Sequence, residues 1–316
     1  MHLIIKGTLQ CNFACSFCSA GYLKSGFTSE LSPKIKEVIT RLNPDSIGIS
    51  GGDPLMCSPK FFEDLLAFTT CPISLVSNLK GFYLSPNKWK HLLLDSRISV
   101  CTSFQYGNGR KWDKNTVYTE DIFRAVMRKF KEEIGYVPPF ISVINKGNEE
   151  QALKHLLLAK ELGTVCRLNG MNCSGISIDY YPRYKMVDIW NQIYEQGLEQ
   201  YLMEVVPLYR GNCELNTNLL CQSTIRTCWV DMEGNLIYGQ CEDLTAQGQR
   251  LPLEETKPLP IMEAPKEYIN SKCKYCELCN FCNACELNRK QAINCPEYCE
   301  EMLKRKEIII KRGWAI

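Results

Sequence analysis

The stretch LIIKGTLQCNFACSFC (residues 3–18) runs an apolar, β-like segment straight into three cysteines, Cys11, Cys15 and Cys18, spaced C-x3-C-x2-C. Three thiols thus share one short loop at the end of the first expected strand. A zinc site usually takes four nitrogen or sulfur ligands, and no fourth lies nearby. A [4Fe–4S] cube has four irons, each wanting a thiolate, so three cysteines leave one iron open to a substrate or cofactor.

Outward from this loop, residues 1–199 alternate β-like runs with segments of helical period. The runs are LIIKGTL (3–9), SIGIS (46–50), PISLVS (72–77), RISVCTSF (97–104), PFISVIN (139–145) and TVCRLN (164–169). Helical patterns fill 33–42, 59–68, 86–94, 120–132 and 149–161. Three helices are expected to open on one device, Ser32-Pro33, Ser58-Pro59 and Ser85-Pro86. Serine caps free N–H groups, and proline suits the first helical position because its missing donor is no loss there. Asn148 and Gln151 read as a capping box for another helix. Six β-α units predict an α/β fold with a parallel sheet. They are too few for a closed eight-stranded barrel, so the reading is an open, partial (βα)6 TIM-like barrel, with a doubly wound sheet as the alternative. In both, ligands gather at the carboxyl ends of the strands, where the cysteine loop sits.

The chain has 316 residues, 45% apolar and 23% charged, with a net charge of +2. That profile is of an ordinary globular protein, without the basic bias of a nucleic-acid binder. No run approaches the ~18 apolar residues of a membrane span, and the amino terminus lacks a signal-peptide pattern. A cytoplasmic protein is expected. The 19 cysteines are the anomaly. An odd count in a reducing compartment argues for metal rather than a disulfide framework. With only 3 histidines, that metal chemistry has to be thiolate-based. His91 and His155, each in a KHLLL helical context, read as ordinary surface or boundary residues. The basic tail KRKEIIIKR (304–312) reads as a solvated helix face.

Residues 200–316 form a second expected domain. Within 211–243, WVDMEGNLIYG places a Glu-Gly turn between two β-like runs. A linker rich in proline and glutamate (252–267) leads to CKYCELCNFCNACELNRKQAINCPEYC (273–299), followed by a charged helical segment.

The triad, the aromatic Phe17 before its third cysteine, and SGGDP (50–54) after the second strand together resemble the radical S-adenosylmethionine (SAM) superfamily. The resemblance implies that Cys11, Cys15 and Cys18 hold a [4Fe–4S] cluster whose open iron chelates the amino and carboxylate groups of SAM. It implies reductive cleavage to a 5′-deoxyadenosyl radical, which abstracts hydrogen from an unactivated C–H bond. Gly51, Gly52, Asp53 and Pro54 match a GGEP-like motif that holds the SAM ammonium largely through backbone carbonyls; Asp53 stands where glutamate is commoner. Further cofactor contacts are expected from Phe17, from Ser77 and Asn78, from Ser103 and Gln105 on the face shared with Ser99 and Cys101, and from Asn145. Each polar strand end also has the plain reading of a strand meeting solvent. On the sixth strand Arg167 and Asn169 share one face, Cys166 and Leu168 the other. Arg167 is a candidate carboxylate anchor. Cys166 is a candidate hydrogen-atom donor, with a small buried hydrophobe as the alternative.

The second domain resembles the SPASM extension of such enzymes, which implies one or two auxiliary [4Fe–4S] clusters. Cys221, Cys228 and Cys241 bracket Gly234, and Cys273, Cys276 and Cys282 fit C-x2-C-x5-C. Cys285, with Cys295 or Cys299, completes the implied ligand set. The spacings from Gly234 to Cys241 and from Cys282 to Cys285 depart from the family pattern, and Cys213 and Cys279 have no assigned role. A ferredoxin-like site and a zinc knuckle remain alternatives.

The resemblance implies an enzyme of oxidoreductase or peptide-maturase type that oxidises or cross-links a peptide or protein. The auxiliary clusters would accept or supply electrons, with a reductant such as flavodoxin or ferredoxin as partner. Because Cys11 comes so early, no peptide-recognition domain is expected ahead of the barrel, which keeps a sugar-like metabolite dehydrogenase or epimerase open. A non-catalytic iron–sulfur carrier or zinc module is the reading from another class. Against it stands the three-thiol loop with Gly-Gly-Asp-Pro, since a closed carrier site has no use for an open iron.

Overall fold

The computed structural model describes residues 2–18, 30–170, 186–203, 225–230 and 236–239, with positions 303 and 307. Six strands follow the β-like runs: β1 (His2–Thr8), β2 (Ser46–Gly51), β3 (Ile73–Val76), β4 (Ile98–Ser103), β5 (Phe140–Ile144) and β6 (Cys166–Gly170). Between them lie α1 (Pro33–Leu42), α2 (Pro59–Phe68), the pair α3 (Lys80–Leu84) and α4 (Pro86–Leu93), α5 (Glu120–Ile134) and α6 (Ala152–Leu162); α7 (Val187–Glu195) comes after β6. The six strands are parallel and stand in the order β6-β5-β4-β3-β2-β1. A doubly wound sheet reverses its strand order at a switch point. This order has none, so the open six-unit arrangement holds and the doubly wound alternative falls. Crossovers of the usual right hand, in sequential order, place the described helices that join these strands on one face of the sheet.

Alternation then divides each strand between the two faces. In β1, Leu3 and Ile5 are fully buried, and Gly7 lies against Cys57 and Phe61 on the helical side. His2, Ile4 and Lys6, on the opposite face, are only partly buried. In β4 the buried Ile98 and Val100 alternate with Ser99, Cys101 and Ser103. Helical side chains such as Phe61, Leu65, Trp89, Phe123 and Phe130 close the core over Ile47, Ile49, Leu75 and Phe140. Each of these burials is worth about 1.5–3 kcal/mol against exposure.

Two of the three serine caps form as expected. Ser32 Oγ accepts from the Lys34 N–H and Ser58 Oγ from the Phe61 N–H, both at 3.3 Å. Ser85 does not cap α4. Its N–H is bound to the Gly81 and Phe82 carbonyls, so it closes α3. The expected capping box at Asn148 is also replaced. Asn148 is buried; it accepts from the Asn145 N–H at 2.8 Å and donates to the carbonyls of Val143 at 3.0 Å and Tyr106 at 3.2 Å. A 3-10 turn, Glu149–Gln151, precedes α6.

His155 is fully buried, not a surface residue. Its Nε2 accepts from the Tyr106 N–H at 3.1 Å, and its Nδ1 lies 3.2 Å from the Ala152 carbonyl, so the neutral ring bridges α6 to the loop after β4. Burial pushes its pKa down to about 4. The unfolded imidazole takes up a proton near pH 6.5 that the folded one refuses, so folding stability falls as pH drops from about 6.5 toward 4. The urea midpoint of the wild type is expected to drop between pH 7.5 and pH 5 by more than that of His155→Gln. Equal drops would show that another group carries the acid sensitivity.

The sheet continues past β1. Strand β7 (Ile225–Val230) pairs parallel with β1, and β8 (Leu236–Gly239) pairs antiparallel with β7. The expected hairpin is present, but it extends the sheet of the first domain across the boundary placed at residue 200. Cys228 stands in register with Ile5 and is fully buried in the hydrophobic core. The resemblance makes it a cluster ligand; burial pushes its thiol up to about 12. The other expected auxiliary ligands, Cys221, Cys241, Cys273, Cys276, Cys282, Cys285, Cys295 and Cys299, lie outside the described residues, as do Cys213 and Cys279. No described helix is long and apolar enough to cross a membrane.

Candidate active site

The site is built at the carboxyl ends of β1 to β6, first by two loops packed backbone to backbone. Beyond β1 the chain turns into the cysteine loop. Beyond β2, the Gly52 N–H donates to the Thr8 carbonyl at 2.8 Å and the Asp53 N–H to the Gln10 carbonyl at 2.7 Å. This approach is possible only for glycine. Gly51 has φ +123°, and a Cβ there would lie 2.2 Å from the Thr8 oxygen, while one on Gly52 would lie 2.1 Å from the Gln10 oxygen.

Asp53 fixes the second loop to the third. Its buried carboxylate accepts from the Leu55 N–H at 2.9 Å, from the Asn78 N–H at 2.7 Å, and from Ser77 Oγ at 3.1 Å. Burial pushes its pKa up to about 6, and these donors oppose the shift, so it is ionised at neutral pH. Leu79, next along, holds φ +62°, a left-handed conformation costly for a branched residue. It turns Asn78 back toward the cysteines: Asn78 Nδ2 donates to Asn12 Oδ1 at 2.8 Å and reaches Cys11 Sγ at 3.7 Å. Lys80 follows, donating from Nζ to the Asn12 carbonyl at 3.3 Å and to the Trp112 carbonyl.

A third loop, between β4 and α5, lies along the cysteine loop as a strap. The Ala14 N–H donates to the Lys111 carbonyl at 3.2 Å and the Ser16 N–H to the Gly109 carbonyl at 2.9 Å. Phe13 packs against Trp112 and Tyr118 at ring separations of 5.6 and 4.9 Å. His155 and Asn148 hold the near end of the strap through the Tyr106 backbone. The cysteine loop therefore has its course set by neighbours on both sides.

These loops enclose a cavity of about 340 Å³. Its lining brings together Cys11, Cys15, Cys18 and Phe17 with Gly51, Gly52, Asp53, Ser77, Asn78 and Ser103, ten of the residues expected from the sequence. Pro54 lies outside the lining and opens the 3-10 turn that Asp53 caps. Gln105 is buried, with its Oε1 unpartnered. Asn145 turns into its own loop, where Oδ1 accepts from the Gly147 N–H at 2.8 Å. Arg167 is on the face of β6 away from the buried Cys166, as alternation requires, near Cys101. The Cys166 thiol, raised by burial, contacts Ser142 Oγ at 3.5 Å within the core and does not reach the cavity. Its plain reading, a small buried hydrophobe, fits this placement.

The sequence reading missed several lining residues, among them Phe13, Arg110, Val143 and Gly170. Arg110 sits in the strap segment GNGRKWD, which has no periodic pattern. Its one sequence signal was its place just beyond the carboxyl end of a strand.

The thiols suit a cluster. Burial, and then the Asp53 carboxylate, push Cys11 up to about 12, so a free thiol there stays protonated. A metal inverts that preference, because a coordinating thiol is deprotonated outright. Among the described residues no three ligating side chains converge on a single ion. A cube asks for something else, one thiolate on each of three irons. The loop offers that, with a Gly-Gly backbone and open volume beside it.

The fold and site define a class: an open parallel barrel with three cysteines on its first strand-end loop and a glycine cradle on its second. The native anSMEcpe structure with bound AdoMet and Cp18Cys peptide shares this fold, with a TM-score of 0.62 and 17% identity over 98% of this chain and 97% of that one. Streptococcus suis SuiB matches at a TM-score of 0.64 and 14% identity, over 94% of this chain and 75% of that one. SuiB bound to precursor peptide SuiA matches at a TM-score of 0.64, over 92% and 72%. No family model matches the chain, and no curated protein does.

Proposed function

We propose that this chain is a radical SAM enzyme acting on a peptide. The observation that carries the reading is the joining of Cys11, Cys15 and Cys18 to the Gly51-Gly52 cradle in one cavity. The likeness to folds solved with AdoMet and with peptides supports both parts of it.

In this reading Cys11, Cys15 and Cys18 hold a [4Fe–4S] cluster, which supplies the electron that splits SAM into methionine and a 5′-deoxyadenosyl radical. The backbone carbonyls around Gly51 and Gly52 accept from the SAM ammonium. Asp53 keeps that loop in place through Ser77 and Asn78, and the strap fixes the course of the cysteine loop. The substrate enters at the carboxyl ends of the strands, where the cavity opens. The auxiliary cysteines of the second domain hold one or two further clusters that take up or deliver electrons, with flavodoxin or ferredoxin as reductant. Protein reconstituted without oxygen should contain iron and sulfide in excess of one cluster and form 5′-deoxyadenosine from SAM and dithionite. Zinc in place of iron would end the reading.

Cys11 Sγ has two N–H neighbours, Phe13 N at 3.4 Å and Asn78 Nδ2 at 3.7 Å. Hydrogen bonds to cluster sulfurs favour the reduced, more negative state and raise the potential. Asn78→Leu is therefore expected to shift the SAM-site cluster to a more negative midpoint in an EPR-monitored redox titration. An unchanged midpoint would show that the contact does not reach the cluster.

A further inference from the structure

Lys80 stands where neither its own helix nor the residue before it favours it. It opens α3, and a cation at a helix amino terminus opposes the helix dipole. Leu79 before it holds the left-handed conformation, which a branched side chain adopts at a cost. Proteins break local rules in this way at functional sites. What the chain gains here is the place of the ammonium. Nζ donates to the Asn12 carbonyl at 3.3 Å and to the Trp112 carbonyl, and it lies 4.8 and 6.0 Å from the ring centres of Trp112 and Phe13. Asn12 follows Cys11 in the chain, and Phe13 lines the cavity with the three thiols. All of these partners are neutral. Lys60 and Lys90 each pair with an acid. Among the described residues no carboxylate pairs with Lys80, and Asp113, exposed on the strap, feels its charge without bonding to it. A positive charge is thus held, partly buried and unneutralised, against the loop that carries the cysteines.

We propose that Lys80 is a positioning residue of the cluster site whose charge raises the reduction potential of the cluster on Cys11, Cys15 and Cys18. The inference rests on the radical SAM reading. Reduction moves one electron from the reductant to the cluster, which leaves the cluster and its thiolates more negative by one charge. A fixed cation beside the loop stabilises that form more than the oxidised one, and partial burial protects the attraction from screening. Lysine suits the task because its compact ammonium can bond two carbonyls and still carry its full charge. Lys80 therefore serves twice, as the clasp between the cysteine loop and the strap and as the charge that eases electron entry.

The test is an EPR-monitored redox titration of the cluster-loaded protein, with dithionite as reductant and neither SAM nor substrate present. The proteins are wild type, Lys80→Met, Lys80→Gln and Lys80→Arg, matched for iron content. The signal followed is the one that disappears when Cys11, Cys15 and Cys18 are all changed to alanine. Its midpoint is expected to move to more negative potential in both Lys80→Met and Lys80→Gln, and to stay at the wild-type value in Lys80→Arg. Glutamine keeps a donor for the carbonyls without the charge, so it separates the two roles and stands in for methionine if that variant fails to take up iron. Unchanged midpoints in the two neutral variants would overturn the proposal. A shift in Lys80→Met with none in Lys80→Gln would overturn it in favour of the hydrogen bonds alone, and equal shifts in all three variants in favour of a purely structural role. A wild type with no signal that depends on the three cysteines would sink the radical SAM reading itself.

Discussion

A variant with Cys11, Cys15 and Cys18 all changed to alanine is expected to lose about four irons per chain and all reductive cleavage of SAM. The loss should be complete because the three thiols share one cavity and each serves a different iron. The fold should survive it. These side chains are only partly buried, and the loop is held by the Ala14 and Ser16 hydrogen bonds, the Phe13 packing and Lys80, none of which involves sulfur. Circular dichroism should match the wild type while the iron count and the 5′-deoxyadenosine yield fall. Iron retained in the variant would have to sit in the second domain, which gives a direct count of auxiliary clusters. A variant that still cleaves SAM would end the assignment of the triad.

The second large effect is expected from the addition of one methyl group, Gly52→Ala. Its Cβ would stand 2.1 Å from the Gln10 carbonyl oxygen, and that oxygen belongs to backbone adjoining Cys11. No rotamer relieves such a contact, so one of the two loops must shift. The shift breaks the pairing of Asp53 N–H with the Gln10 carbonyl and moves the cradle relative to the thiols. Misplacement of about 1 Å costs reactions of this kind on the order of 100-fold. Gly52→Ala should therefore cleave SAM about 100-fold more slowly, with far-UV circular dichroism unchanged. A variant within twofold of wild type would show that the glycine cradle does not position the cofactor.

Much of this was legible in the sequence, with exceptions. Strands such as β2 and helices such as α1 and α2 fall where periodicity put them, because a half-buried strand and an amphipathic helix each carry their burial pattern in the local residue order. The cysteine loop and Gly51-Gly52 were legible because their chemistry demands particular residue types at fixed spacing. Ser85-Pro86 marks the start of α4 as expected, but the Ser85 side chain does not cap it, because α3 ends on the same residue. Asn148 and His155 carry ordinary local signals, yet their partners belong to the loop after β4, tens of residues away. Arg110 lies in a loop without period, and only the burial of its neighbours makes it conspicuous. Cys228 matches a ligand pattern by spacing, and its pairing with β1, far away in sequence, could not be read from that pattern. For His155 a distant contact set the outcome, and for Ser85 the end of the preceding helix did.

The parallel pairing of β1 with β7 has a consequence for the order in which the molecule is made. Residue 2 meets residue 225, so β1 gains its second neighbour only after every residue between the two has been synthesised. Contacts this far apart in sequence form slowly, since a long loop must close before they return any stabilisation. Until then β1 is a bare sheet edge, with open N–H and C=O groups beside three thiols. A nascent chain stalled before residue 225 would therefore present oxidisable sulfur and an adhesive strand edge together.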